Sequence, residues 1–127
     1  MTASKDFPHR AGIDIDTAGQ AQAVATLTVD ETHMNANGTL HGGVIATMCD
    51  SVMGMAVRDS LEDDAKAATV SLTVTYMAPA DKGDEISARA EVRKSGGKIV
   101  IVEADVVRVK DDTAIAHAVA TFSVISS

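Results

Sequence analysis

Aromatic side chains are almost missing from this chain: one Tyr, two Phe and no Trp make up 2% of it. Stacking platforms for the bases of single-stranded nucleic acid are therefore absent, and the core must be built from Val, Ile, Ala, Leu and six Met. Positive charge is also scarce. Lys and Arg number 11 against 18 Asp and Glu, giving a net charge of −7, a field that repels a phosphate backbone. Nucleic acid is accordingly not expected as a partner. Cysteine occurs once, as Cys49, so no intramolecular disulfide can form, and the opening MTASKDFPHRAGIDID has no apolar segment behind a basic start. Both features point to a reducing cytoplasm. No apolar run approaches the ~18 residues that cross a bilayer, and no membrane partner is expected.

What is present is ordinary for a globular protein: 127 residues, 46% hydrophobic and 23% charged, read as one domain over 1–127 with no appended module. Residues 1 to about 9 show no periodicity and are expected to be loose. Ala23, Ala25, Leu27 and Val29 alternate with Val24, Thr26 and Thr28, as in a half-buried strand. From Val44 to Val57 the sequence is apolar almost all round, which suits a helix enclosed by the rest of the domain. Val70, Leu72, Val74 and Tyr76 then alternate with Ser71, Thr73 and Thr75, and Ala78–Gly83 turns the chain. Ile86, Ala88, Ala90 and Val92 mark another strand, Ser95-Gly96-Gly97 a hairpin, and 99–109 and 113–125 two more strands. In the last, Ala114, Ala116, Ala118, Ala120, Phe122 and Val124 share a face. Short connections between strands predict an antiparallel sheet of about five or six strands around one apolar helix, an α+β arrangement.

The segment with chemical potential is Asn35-Ala-Asn-Gly38-Thr-Leu-His41-Gly42-Gly43, followed at once by the apolar helix. A helix start offers unpaired N–H groups and the positive end of a dipole, and glycines admit a substrate close to that backbone. The same glycines also suit a loop-shaping role, with Asn37 or Thr39 as helix cap. Asp50 sits among Met48, Cys49, Val52 and Met53, where a carboxylate is costly unless paired or used. With Thr47, Ser51 and Gly54 it forms a small polar stripe at i, i+3, i+4 and i+7, suited either to a reaction or to a subunit contact. His41 and Asp50 are nine residues apart, about half a turn out of phase and ~13.5 Å along a helix. One chain can hardly bring both to one reacting atom, so the spacing predicts sites shared across a two-fold interface.

An Asn six residues before His-Gly-Gly and an Asp nine after the His, followed by Thr69-Val-Ser-Leu-Thr-Val-Thr-Tyr76-Met-Ala-Pro79-Ala, resembles the PaaI-type hotdog-fold acyl-CoA thioesterases over roughly residues 20–125. That resemblance implies a hotdog fold and hydrolysis of an aryl- or medium-chain acyl-CoA to a free acid and coenzyme A. By the same likeness, Gly42 N–H with Asn35 would polarise the thioester carbonyl, and Asp50 of the partner subunit would act as general base or nucleophile. Thr69 would position the attacking water and His41 would lie near the leaving sulfur, although a loop-bracing role also suits this histidine. Gly43, Arg93, Lys94, Lys98 and Arg58 are the expected coenzyme A contacts; solvated charge at a hairpin tip or helix end is the alternative for the four basic residues. The family also implies homodimers paired into a tetramer, with no cofactor, coenzyme A being part of the substrate. His9, His33 and His117 lack ligand spacing, so no metal is assigned, and Cys49 reads as a buried inert thiol. The rival readings are a non-catalytic acyl-CoA binding or sensing domain and a hotdog hydratase or dehydratase.

Overall fold

Alternating small apolar residues build the inner face of one sheet, and a single long helix fills it. A computed structural model describes residues 6–125. Its elements are α1 (Phe7–Arg10), β1 (Asp14–Gly19), β2 (Gln22–Thr28), a 3-10 turn (Glu31–His33), α2 (Gly42–Asp59), β3 (Lys66–Tyr76), β4 (Glu85–Gly96), β5 (Ile99–Arg108) and β6 (Thr113–Ile125). The sheet order is β1-β2-β4-β5-β6-β3, with every pairing antiparallel. Ala23, Ala25 and Leu27 of β2, Ile86, Ala88 and Ala90 of β4, and Val102 and Ala104 of β5 are buried against the helix. The helix buries Ile45, Met48, Cys49, Val52, Met53, Ala56 and Val57 in return. Alanines on β4, β5 and β6 leave room for it to lie close, and each fully buried Val, Ile or Met contributes about 1.5–3 kcal/mol. This is the α+β hotdog arrangement anticipated above.

Five differences from the sequence reading have local causes. The expected loose start lies partly outside the described residues, but from Asp6 onward the chain is ordered by a helical turn whose first N–H groups include His9 N–H, donated to the Asp6 carboxylate. Strand β1 went unread because only Ile15 of its six residues is even half-buried. It returns to β2 through Gln20 and Ala21, both at positive φ.

The segment after β3 does not form a hairpin to β4; it crosses the end of the sheet, because β3 pairs with β6 at the far edge. The β3 face is also uneven. A register shift between Thr69 and Ser71 leaves Val70 61% exposed and the strand end leaves Tyr76 52% exposed, whereas Leu72 and Val74 pack inward. In β6 a shift opposite Val106 and Val107 brings Ile115 into the core in place of the expected Ala114, which faces solvent. The β4–β5 hairpin turns through Gly97 and Lys98, with Gly97 at φ 71° as a two-residue turn needs.

Candidate active site

The loop before α2 is held by its own side chains. Asn35 accepts the backbone N–H groups of Asn37 and Thr39 through Oδ1, at 2.9 and 3.1 Å, and donates Nδ2–H to Thr39 Oγ1. These contacts fix the orientation of the amide and leave its second Nδ2 hydrogen for another acceptor. Beneath the loop, buried His33 receives Asp30 N–H on Nδ1 and donates Nε2–H to the Ala11 carbonyl, while its own carbonyl accepts His41 N–H at 2.8 Å. No spacing in the sequence marks this histidine; in the structure it ties the segment around Ala11 to the loop that begins α2.

Helix α2 starts two residues earlier than its apolar pattern suggested, at Gly42. Its cap is His41 rather than Asn37 or Thr39: Nδ1 accepts the Gly43 N–H at 2.7 Å. The imidazole thus braces the helix start, with Nε2 left as the outward nitrogen. Gly43 N–H is consumed by this contact and is not a free donor for a ligand. Gly42 N–H has no acceptor among the described residues, and stands at the positive end of an 18-residue helix.

Neither glycine of the pair has a positive φ; what each provides is room for a close neighbour. A Cβ on Gly43 would meet His41 Nδ1 at 2.9 Å, and one on Gly42 would meet the Tyr76 ring at 3.3 Å. Tyr76 Oη donates to the Gly42 carbonyl at 2.8 Å. The stretch that carries the family resemblance includes this residue but assigns it no role. The signal available was a single tyrosine ending the clearest strand of a chain almost devoid of aromatics.

Two turns along the helix, Asp50 Oδ1 accepts the Thr69 hydroxyl at 2.7 Å. The register shift of β3 at that point brings the Thr69 side chain toward α2, so two of the expected site residues meet within one chain. Asp50, Ser51 and Gly54 line one wall of a cleft of about 720 Å³, with Phe122 under Gly54 and Thr69 opposite. Thr47, the fourth member of the polar stripe, instead returns its hydroxyl to the Gly43 carbonyl. Gly42 and Asp50 are eight residues apart on one helix, hence ~12 Å along its axis, and the chain does not bring them together by itself.

Among the basic candidates, Arg58 borders the Asp50 cleft. Arg93 is held in ion pairs with Glu91 and Glu103 on the outer face of the sheet. Lys94 and Lys98 stand exposed at the β4–β5 hairpin, without ion pairs among the described residues. Burial pushes the Cys49 thiol up to about 12, helped by the negative charges of Asp50 and Asp105, which suppresses the thiolate a nucleophile requires. No group of three or more His, Cys, Asp or Glu residues among those described is arranged to hold a metal, and no described helix is long and apolar enough to span a membrane.

Comparison with known proteins gives a consistent result. The family model of the thioesterase superfamily matches residues 37–115, a span holding His41, Gly42, Asp50 and Thr69. Human acyl-coenzyme A thioesterase 13 is 35% identical over 106 residues, covering 83% of this chain and 75% of the human protein. Acyl-coenzyme A thioesterase PaaI of Escherichia coli is 26% identical over 102 residues, 80% of this chain and 71% of that protein. The crystal structure of zebra fish thioesterase superfamily member 2 matches with a TM-score of 0.84 at 30% identity, covering 93% of this chain and 86% of that one.

Proposed function

The chain belongs to the thioesterase superfamily, and from that premise we propose that it hydrolyses an aryl- or medium-chain acyl-CoA thioester to the free acid and coenzyme A. The observation that carries this reading is the Asp50 carboxylate, fixed by Thr69 at the wall of a cleft on an otherwise apolar helix. In the proposed reaction Asp50 takes a proton from water, held with the help of Thr69, as the water oxygen attacks the thioester carbonyl. Direct attack by the carboxylate would use the same placement. The charge that develops on the carbonyl oxygen falls on the partner subunit's Gly42 N–H, a preoriented donor that needs no rearrangement, and coenzyme A leaves as the thiolate. A second copy is required by the ~12 Å between Gly42 and Asp50 along one helix. The proposed place for it is β3, an edge strand that exposes Val70 and Tyr76 to 61 and 52%, with Met77 just beyond its end 51% exposed. We take the working unit as a homodimer with two shared sites, paired into a tetramer and housed in the cytoplasm, where a lone cysteine stays reduced. Arg58, Lys94 and Lys98 are the proposed contacts for the coenzyme A phosphates, with Arg93 available only by exchanging its carboxylate partners.

The test is thiol release from a panel of aryl- and medium-chain acyl-CoAs by the wild type and Asp50→Asn. A loss in kcat of about a hundredfold or more, with the dimer and fold intact, supports hydrolysis with Asp50 at its centre. Wild-type protein that binds these thioesters and releases no thiol would sink the proposal in favour of a binding or sensing role.

A further inference from the structure

From the contacts around the helix start we infer that Tyr76 is a positioning residue: its hydroxyl, acting with His41, clamps the peptide group between Gly42 and Gly43 and so holds Gly42 N–H ready for the substrate carbonyl. The inference rests on the thioesterase reading above and adds to it a residue that no spacing or comparison singled out.

That peptide group has two polar atoms, and each has a side-chain partner from a different part of the chain, the carbonyl in addition to its place in the ladder of the helix. The Gly42 carbonyl receives Tyr76 Oη–H at 2.8 Å from the end of β3, and the Gly43 N–H is donated to His41 Nδ1 at 2.7 Å from the cap. With both ends fixed, the plane of the group cannot rotate without breaking a hydrogen bond. The preceding peptide group, which carries Gly42 N–H, is joined to it through a single Cα and is anchored by its own His41 carbonyl, which accepts from Val44 N–H at 3.0 Å.

A helix that begins Gly-Gly needs such restraint. Each glycine is about 1 kcal/mol poorer than Ala in a helix, and helix ends fray. A donor there would be disordered in proportion, and a disordered donor loses the advantage of being aimed before the reaction begins. The glycines nonetheless suit the clamp, because a Cβ on Gly43 would come within 2.9 Å of His41 Nδ1 and force it to shift, and one on Gly42 would press on the Tyr76 ring at 3.3 Å. The pair is thus explained by what approaches it. Burial raises the Tyr76 hydroxyl above its ordinary value, with the nearby Cys49 adding to the effect, so it remains a protonated donor at neutral pH.

The experiment is Tyr76→Phe, which keeps the ring over Gly42 and removes only the donated hydrogen bond. Expected are a fall in kcat for thiol release of about tenfold with KM within twofold, and a several-fold faster amide hydrogen exchange at Gly43 while Val52 and Ala56 farther along α2 keep their protection. Unchanged kcat overturns the inference, as does a loss of kcat with Gly43 exchange unaltered. Faster exchange along the whole helix also overturns it, since that reports general loosening; Tyr76→Leu, which removes the ring as well, calibrates that response. If the wild type releases no thiol from any acyl-CoA, the thioesterase reading fails, and the Gly43 exchange still decides whether the clamp exists.

Discussion

Asp50, the base of the proposed reaction, has its carboxylate held by one hydroxyl. Thr69 Oγ1 reaches Asp50 from a different element at 2.7 Å. Thr69→Val keeps the volume and β-branching but removes the hydroxyl. We expect kcat to fall about tenfold with little change in KM, and Thr69→Ser to retain most of the activity; equal activity in Val and Ser variants would remove Thr69 from the site. The neighbouring Cys49 illustrates the opposite case. It is one residue from Asp50 and fully buried, and its thiol is pushed up to about 12, so adjacency in sequence gives it no chemistry. His41 stands between the two: its Nδ1 is committed to the Gly43 N–H, so whatever it offers a leaving group comes from the other ring nitrogen.

At the level of elements, β3 is the edge on which the proposed dimer is built. It occupies a sheet edge with its backbone groups on one side unpaired by the chain, and Val70 projects outward where the register shifts. Val70→Glu places a charge on that edge without touching the core. The expected result is a shift from dimer to monomer in sedimentation velocity, with thiol release lost in step; a variant that remained dimeric would show that another surface makes the contact. The elements themselves were largely legible beforehand. Strict alternation marked β2, β4 and the interior of β6, and the all-round apolar run marked α2, because burial on one face or on all faces leaves those periods in the sequence. The position of β3 beside β6 was not legible, since strand order is a matter of non-local pairing. Nor was Ile115, which displaces Ala114 through a bulge that period-two reading cannot see. The candidate site divides in the same way. Asn35, His41, Gly42, Asp50 and Thr69 could be named from spacing and resemblance, whereas Tyr76 and the commitment of His41 to Gly43 are contacts through space.

For the whole molecule, the acidic balance of −7 makes stability depend on carboxylates that are well placed. Asp84 is 7% exposed; its carboxylate accepts the Asp81 N–H and pairs with Lys110, and these contacts lower its pKa below 3.8. Asp30 is lowered by Thr32, and Asp111 strongly by Arg108 and Thr113. A group with a lower pKa in the folded state contributes stability above its unfolded pKa and loses that contribution as pH falls through the folded value. The melting temperature should therefore decline below about pH 4. Asp84→Asn should melt lower than the wild type at pH 7, and the gap should narrow as the pH falls below about 4; a gap that is constant with pH would show that Asp84 acts by shape alone.

The scarcity of aromatic residues has an optical consequence. With no Trp and a single Tyr, essentially all ultraviolet emission of the protein originates from Tyr76, whose hydroxyl rests on the carbonyl of Gly42. The molecule thus carries its one strong native fluorophore against the start of its central helix, so a thioester bound beside Gly42 as proposed should be detectable without any label.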